Sequence, residues 1–95
     1  MNAARGEARL LDRVLRPSFA ALVAAEEELG PLFALVERAA SGQLKLSEMV
    51  TLFWHCLADR NDLTRENFGE RVAEAGLAVV TPALKTLIGQ ILAGR

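Results

Sequence analysis

The sequence predicts a mainly α fold, a small single-domain bundle of about five short helices. Three observations carry this. Apolar residues make up 52% of the 95 residues and charged ones 24%, the composition of a folded globule. Aromatic residues contribute only 5%, with four Phe, one Trp and no Tyr, while Ala and Leu recur throughout, which favours helix over sheet. Apolar runs at helical spacing are also punctuated by Ser, Thr or Pro before them and Gly after them. The length suits one domain, with residues 1–16 as an N-terminal segment and 17–95 as the helical core. A compact chain of this size has a radius of gyration of roughly 12 Å.

The first element is open between two forms. From Gly6 to Arg16, "ARLL" and "VLR" around "DR" suit a short β-hairpin, although Asp-Arg is a poor two-residue turn. Leu10, Leu11, Val14 and Leu15 also fall at helical spacing. The first helix runs from Ser18 to Leu29. Pro17 cannot continue a preceding element, Ser18 is a capping side chain, and Gly30 suits a left-handed stop. Pro31 opens the second helix, where its missing N–H costs nothing, and Leu32, Leu35, Val36 and Ala39 share a face. "SGQ" at 41–43 ends it.

The third helix is expected from a cap at Ser47 to about Arg60. Its apolar positions, Met49, Val50, Leu52, Phe53, Trp54, Cys56 and Leu57, cover more than half the circumference. A helix so patterned is covered on several sides and belongs at the centre of the domain. "DRNDLT" is a loop, Thr64 caps a fourth helix to Ala75 with Phe68 and Val72 inward, and Gly76 stops it. The last helix begins between Ala78 and Pro82 and reaches Leu92, with Val80, Leu84, Leu87, Ile88 and Ile91 as one stripe.

Composition narrows the function classes. The net charge is −1 and the basic residues are scattered, which argues against a phosphate-binding surface and hence against a nucleic-acid partner. A single cysteine, Cys56, precludes an internal disulfide. No run approaches the roughly 18 apolar residues of a membrane span, and the first residues lack a signal-peptide core. The chain reads as soluble and intracellular, with no membrane partner. The run Glu26, Glu27, Glu28 reads as a solvated face.

No motif carries catalysis, a cofactor or a metal. His55 and Asp59 are four apart on one helix face, but Cys56 points elsewhere and no second His or Cys exists, whereas a metal site needs three or four convergent ligands. Adjacent His55 and Cys56 diverge by about 100° and cannot form a nucleophile–base pair. "DRNDLTRENFGE", Asp59 to Glu70, matches a calcium loop at three positions, but Leu63 stands where a ligand is needed and Thr64 where glycine is. A helix-turn-helix reading would make Thr64–Ala75 the reader, offering Arg65, Asn67 and Arg71 but also Glu66, Glu70 and Glu74, an acidic balance that repels phosphates. The residues point to a non-enzymatic interaction module.

From Leu15 onward the letters resemble a known family. "LRPSFAALVAAEEELG", "GQLKLSEMVTLFWHCL", "LTRENFGERVAEAGL" and "LKTLIGQILAGR" are similar to the small tail-assembly proteins of gene transfer agents and siphophage-type prophages of alphaproteobacteria, named as the gene transfer agent family or as phage tail assembly chaperones. The family's Phe, Glu and Gly pattern falls on Phe19, Glu26 and Gly30. Members open with a strand–turn–strand, so the resemblance favours a hairpin at 6–16, shortened here to "GEARLLDRVLRPSF". It implies a chaperone in the bacterial cytoplasm that coats the tape measure protein and helps recruit tail tube subunits, with self-association a further option. Candidate structural or interaction residues are Phe19, Glu26, Gly30, Phe53, Trp54 and Phe68.

Two of these raise specific expectations. On a helical wheel Glu26 falls inside the stripe of Phe19, Leu22, Val23 and Leu29, and a buried carboxylate costs several kcal/mol unless it is paired. The leading reading pairs it with Arg9, Arg16 or backbone N–H groups of the N-terminal segment. A second places it at a groove edge facing a client's basic residue, and a catalytic role ranks last. Trp54 lies at the margin of its helix's apolar arc, with core packing as the default and a client contact as the alternative.

Overall fold

The computed structural model describes residues 8–94. Residues 1–7 and Arg95 lie outside the described residues, and with them the start of the N-terminal segment at Gly6. The order is β1 (Ala8–Leu10), β2 (Arg13–Leu15), α1 (Phe19–Leu29), α2 (Leu32–Ala40), α3 (Leu46–Cys56), α4 (Arg65–Ala75) and α5 (Leu77–Ala93). The fold is thus mainly helical, with five helices and a short antiparallel hairpin, and its radius of gyration is 12.3 Å.

The N-terminal segment resolves as the hairpin. Ala8 pairs with Leu15, Arg9 with Val14 and Leu10 with Arg13. Period-two alternation puts Ala8, Leu10 and Leu15 into the core and Arg9 on the outside. The turn residues are Leu11 and Asp12, not Asp12 and Arg13, and Leu11 takes a positive φ of 58°. Glycine or asparagine is the ordinary occupant of such a position, so a leucine there is strained.

Helices α1 and α4 flank α3, and β2 meets its C-terminal end. Leu52, Phe53 and Cys56 are fully buried, Met49 nearly so, and α1 and α4 pack along α3. This helix differs from expectation at both ends. It starts at Leu46, one residue before the expected Ser47 cap, because the Glu48 carboxylate reaches back to accept the Lys45 N–H at 3.0 Å. It stops at Cys56, four residues short of Arg60, because strand β2 takes the chain over. The Arg16 N–H donates to the Cys56 carbonyl at 2.6 Å, the Ala58 N–H donates to the Val14 carbonyl at 3.0 Å, and Leu57 bridges Leu15. These tertiary hydrogen bonds replace the next helical turn and lay Leu57 into the core.

Helix α4 follows the expected caps, with Thr64 Oγ1 accepting the Asn67 N–H and Phe68 and Val72 buried. Helix α5 begins earlier than expected, at Leu77, so Pro82 sits inside it. Gly76, at φ 95°, ends α4 and launches α5 without a linker. Pro82 lies on the exposed side, where the carbonyl deprived of its donor is on the solvent side. Val80, Ala83 and Leu87 enter the core, α5 packs on β1 and α4, and Leu84, Ile88 and Ile91 are half-buried beside them.

Helix α1 departs most from its wheel. Ser18 caps it as expected, accepting the Ala21 N–H at 3.1 Å, but its fully buried position is Ala25, flanked by Ala21, Leu22 and Leu29. Small alanines let α1 approach α3 closely, and the contact line rotates toward them. Phe19, expected in the stripe, is 84% exposed. Glu26 is exposed too and bears no burial cost. Its carboxylate accepts the Leu32 N–H at 3.0 Å, capping α2, while its carbonyl accepts the Gly30 N–H at 2.8 Å. The hydrogen bond it makes therefore joins α1 to α2 and not to the N-terminal segment. Gly30 completes the corner at φ 87° and ψ −170°, a region open essentially to glycine alone.

Two stability outcomes follow from these corners. Glu26→Ala removes a helix cap and lowers stability by about 1 kcal/mol, a melting shift of about 4–8 °C in a domain this small, and Glu26→Gln restores much of it. Leu11→Gly relieves the turn and raises stability by about 0.5–1 kcal/mol after the entropy glycine adds to the unfolded chain. Thermal unfolding followed by circular dichroism reads both.

Candidate functional site

Helix α2 is attached to the body at few points. Its N-terminus hangs from Glu26, Leu35 enters the core, and Arg38 binds Glu48 of α3 at 2.6 Å. The Glu48 carboxyl is held below its ordinary value, first by the Lys45 N–H and then by Arg38. These anchors fix one side of α2 and leave Phe33, Val36 and Ala40 as a second apolar line, at i, i+3 and i+7.

Helix α5 has a matching surplus. Only one of its 17 residues, Lys85, is charged. Its core stripe is Val80, Ala83 and Leu87, and Leu84, Ile88, Ile91 and Leu92 lie to one side of it. Between α2 and α5 the two surplus stripes leave an open apolar groove. One part, about 210 Å³, is lined by Leu22, Leu32, Phe33, Val36, Ile91 and Leu92. The adjoining part, about 360 Å³, shares Val36 and Leu92 and adds Ala39, Ala40, Leu84, Lys85, Ile88 and Gly89. Phe33 is 82% exposed and Leu92 60%. Phe19 projects from α1 one turn before Leu22, on the same side of that helix. A groove of this kind accepts an amphipathic helix.

The remaining candidates lie elsewhere. Phe53 and Phe68 are buried. Trp54 is half-buried, its ring 6.1 Å from that of Phe68 and 4.9 Å beneath the Arg60 guanidinium. Arg60 also donates to the Trp54 and His55 carbonyls, closing the end of α3. Cys56 is in the core, and burial pushes its thiol up to about 12. Asp59 accepts from Asn61 within its own turn, and His55 points away toward α1. Among the described residues no three His, Cys, Asp or Glu side chains gather as a metal-ligand set, and no single helix is long and apolar enough to cross a membrane.

A charged knot was missed by reading the Glu run as a solvated face. Glu28 accepts both arms of the Arg65 guanidinium at 2.9 Å and the His55 Nε2–H, so one carboxylate of α1 ties α3 and α4 together. Arg65, the first residue offered by the DNA-reader hypothesis, is thereby engaged inside the protein. Arg65 foremost, then His55, holds the Glu28 carboxyl down to about 2. Phe33, Lys85, Gly89 and Leu92 were likewise missed. Their signal was the second apolar stripe of α2 and the near absence of charge on α5.

The described residues form a small helical body with an apolar groove between α2 and α5. The chain belongs to the family described as phage tail tube protein, GTA-gp10, which matches residues 7–94. It is therefore a gene-transfer-agent or phage tail protein, and that description names a tail tube component, not an assembly chaperone. No curated protein and no solved structure matches it.

The knot has a pH signature. Because folding lowers the Glu28 value from 4.5 to about 2, its contribution to stability is complete above 4.5 and disappears as the pH falls toward 2. Glu28→Gln flattens that acid limb, read as melting temperature between pH 7 and pH 2, and leaves the groove untouched.

Proposed function

We propose that this protein acts in tail morphogenesis as an assembly chaperone that holds an apolar helix of the tape measure protein in the α2–α5 groove. The observation that carries the reading is the groove itself, with Phe33 and Leu92 standing out of it. Apolar surface of this kind on a small domain marks a partner site. A tape measure protein is long and helical, and shielding it reversibly in the bacterial cytoplasm keeps it from aggregating before the tube closes around it. Tail tube subunits, or further copies of this chain, are secondary partners.

The family description favours a second reading, a structural component of the tail tube. Proteomics of purified particles separates the two. A chaperone is absent or far below tube stoichiometry, and a tube component is present in many copies.

Co-expression with the tape measure protein of the same tail tests the leading reading. The wild-type chain co-purifies with it, and Phe33→Asp weakens capture about tenfold or more. Its melting temperature stays within a few degrees, because Phe33 is 82% exposed. Undiminished capture by the Phe33→Asp variant would sink the groove reading.

A further inference from the structure

We propose that Lys85 and Gly89 select the groove's occupant, an apolar helix that carries one carboxylate about a turn from the point of closest approach. The inference rests on the groove reading above and adds the chemistry of the partner.

Two independent observations carry it. The first is charge. Lys85 is the single charged residue of α5 and stands on the wall of an otherwise apolar groove. Among the described residues Lys85, like Lys45 and Arg71, makes no ion pair, and of these three it is the one that lines the groove. Lys85 is exposed at this wall, and a lysine so placed can lay its stem along apolar surface and carry its ammonium over the groove. A carboxylate arriving on a docked helix meets that ammonium in a partly dehydrated setting, and a cation arriving there meets a like charge.

The second is backbone access. Gly89 is interior to α5, where glycine costs about 1 kcal/mol relative to alanine. A Cβ added there meets nothing within 4 Å, so packing within this chain does not explain the glycine. Its φ is not positive, so conformation does not require it either. What a missing side chain provides is close approach of another backbone, and Ala39 and Ala40 on the facing wall are small as well. Lys85 and Gly89 are four residues apart, hence on one face of α5 and separated by about 6 Å along the helix. A helix seated on Gly89 therefore presents its neighbouring turn to Lys85.

The test uses the full chain and fluorescent amphipathic peptides of about 18 residues, five turns, identical except for Glu, Gln or Lys in the middle of the apolar face. Anisotropy is expected to show the Glu peptide binding about tenfold tighter than the Lys peptide, and Lys85→Glu inverts that order. Gly89→Ala raises the melting temperature yet weakens binding of the Glu peptide, a combination that separates lost access from lost folding. Equal binding of the three peptides, abolished throughout by Phe33→Asp, overturns the selectivity and leaves the groove standing. Failure of every peptide to bind, or binding indifferent to Phe33→Asp, overturns the groove and the selectivity together.

Discussion

The apolar arc of α3 is too wide for a surface helix, and the rest of the fold is arranged to cover it. Leu52, Phe53 and Cys56 are fully buried and Met49 nearly so, so α3 needs neighbours on several sides. Helix α1 covers one side through its alanines and α4 another through Phe68 and Val72. The hairpin takes the far end, where β2 captures the chain as it leaves α3. Burying each of these large side chains contributes about 1.5–3 kcal/mol, more than any surface contact offers. The corners and ion pairs adjust a body that this burial holds together.

That arrangement leaves α2 and the outer side of α5 with less to do. The covering of α3 is largely complete without them, so α2 is tethered by a cap, one buried leucine and one ion pair. Helix α5 uses a narrow stripe against β1 and α4. Both helices carry more apolar residues than those contacts consume, and the excess meets across open space. The groove thus follows from how a short chain distributes its apolar residues around one central helix. Exposed apolar surface of this kind is the basis of the function proposed above.

Charge supports this division. Glu28, Glu48, Arg38 and Arg65 are engaged in holding helices to one another, and such partly exposed pairs act more on geometry than on stability. The acidic side chains left on the α4 surface, Glu66, Glu70 and Glu74, are exposed. Lys85 stands apart from both groups, as the charge that the fold places beside the groove.

The helical class, the five helices and the inward positions of α3 and α4 were legible in the residues alone. These depend on local physics: period, caps and the φ preferences of Gly30, Pro31 and Gly76. Tertiary contacts decided the rest. The hairpin beat the competing helix because β2 finds a third extended segment at Leu57, a partner 42 positions away in the chain. The end of α3 moved for the same reason. Glu26 looked buried because a wheel weights Phe and Leu above Ala, whereas close helix packing favours the small residue and turned α1 toward Ala25. Periodicity reports which side chains are apolar, and only the assembled fold decides which of them find cover and which, like Phe33 and Leu92, stay exposed.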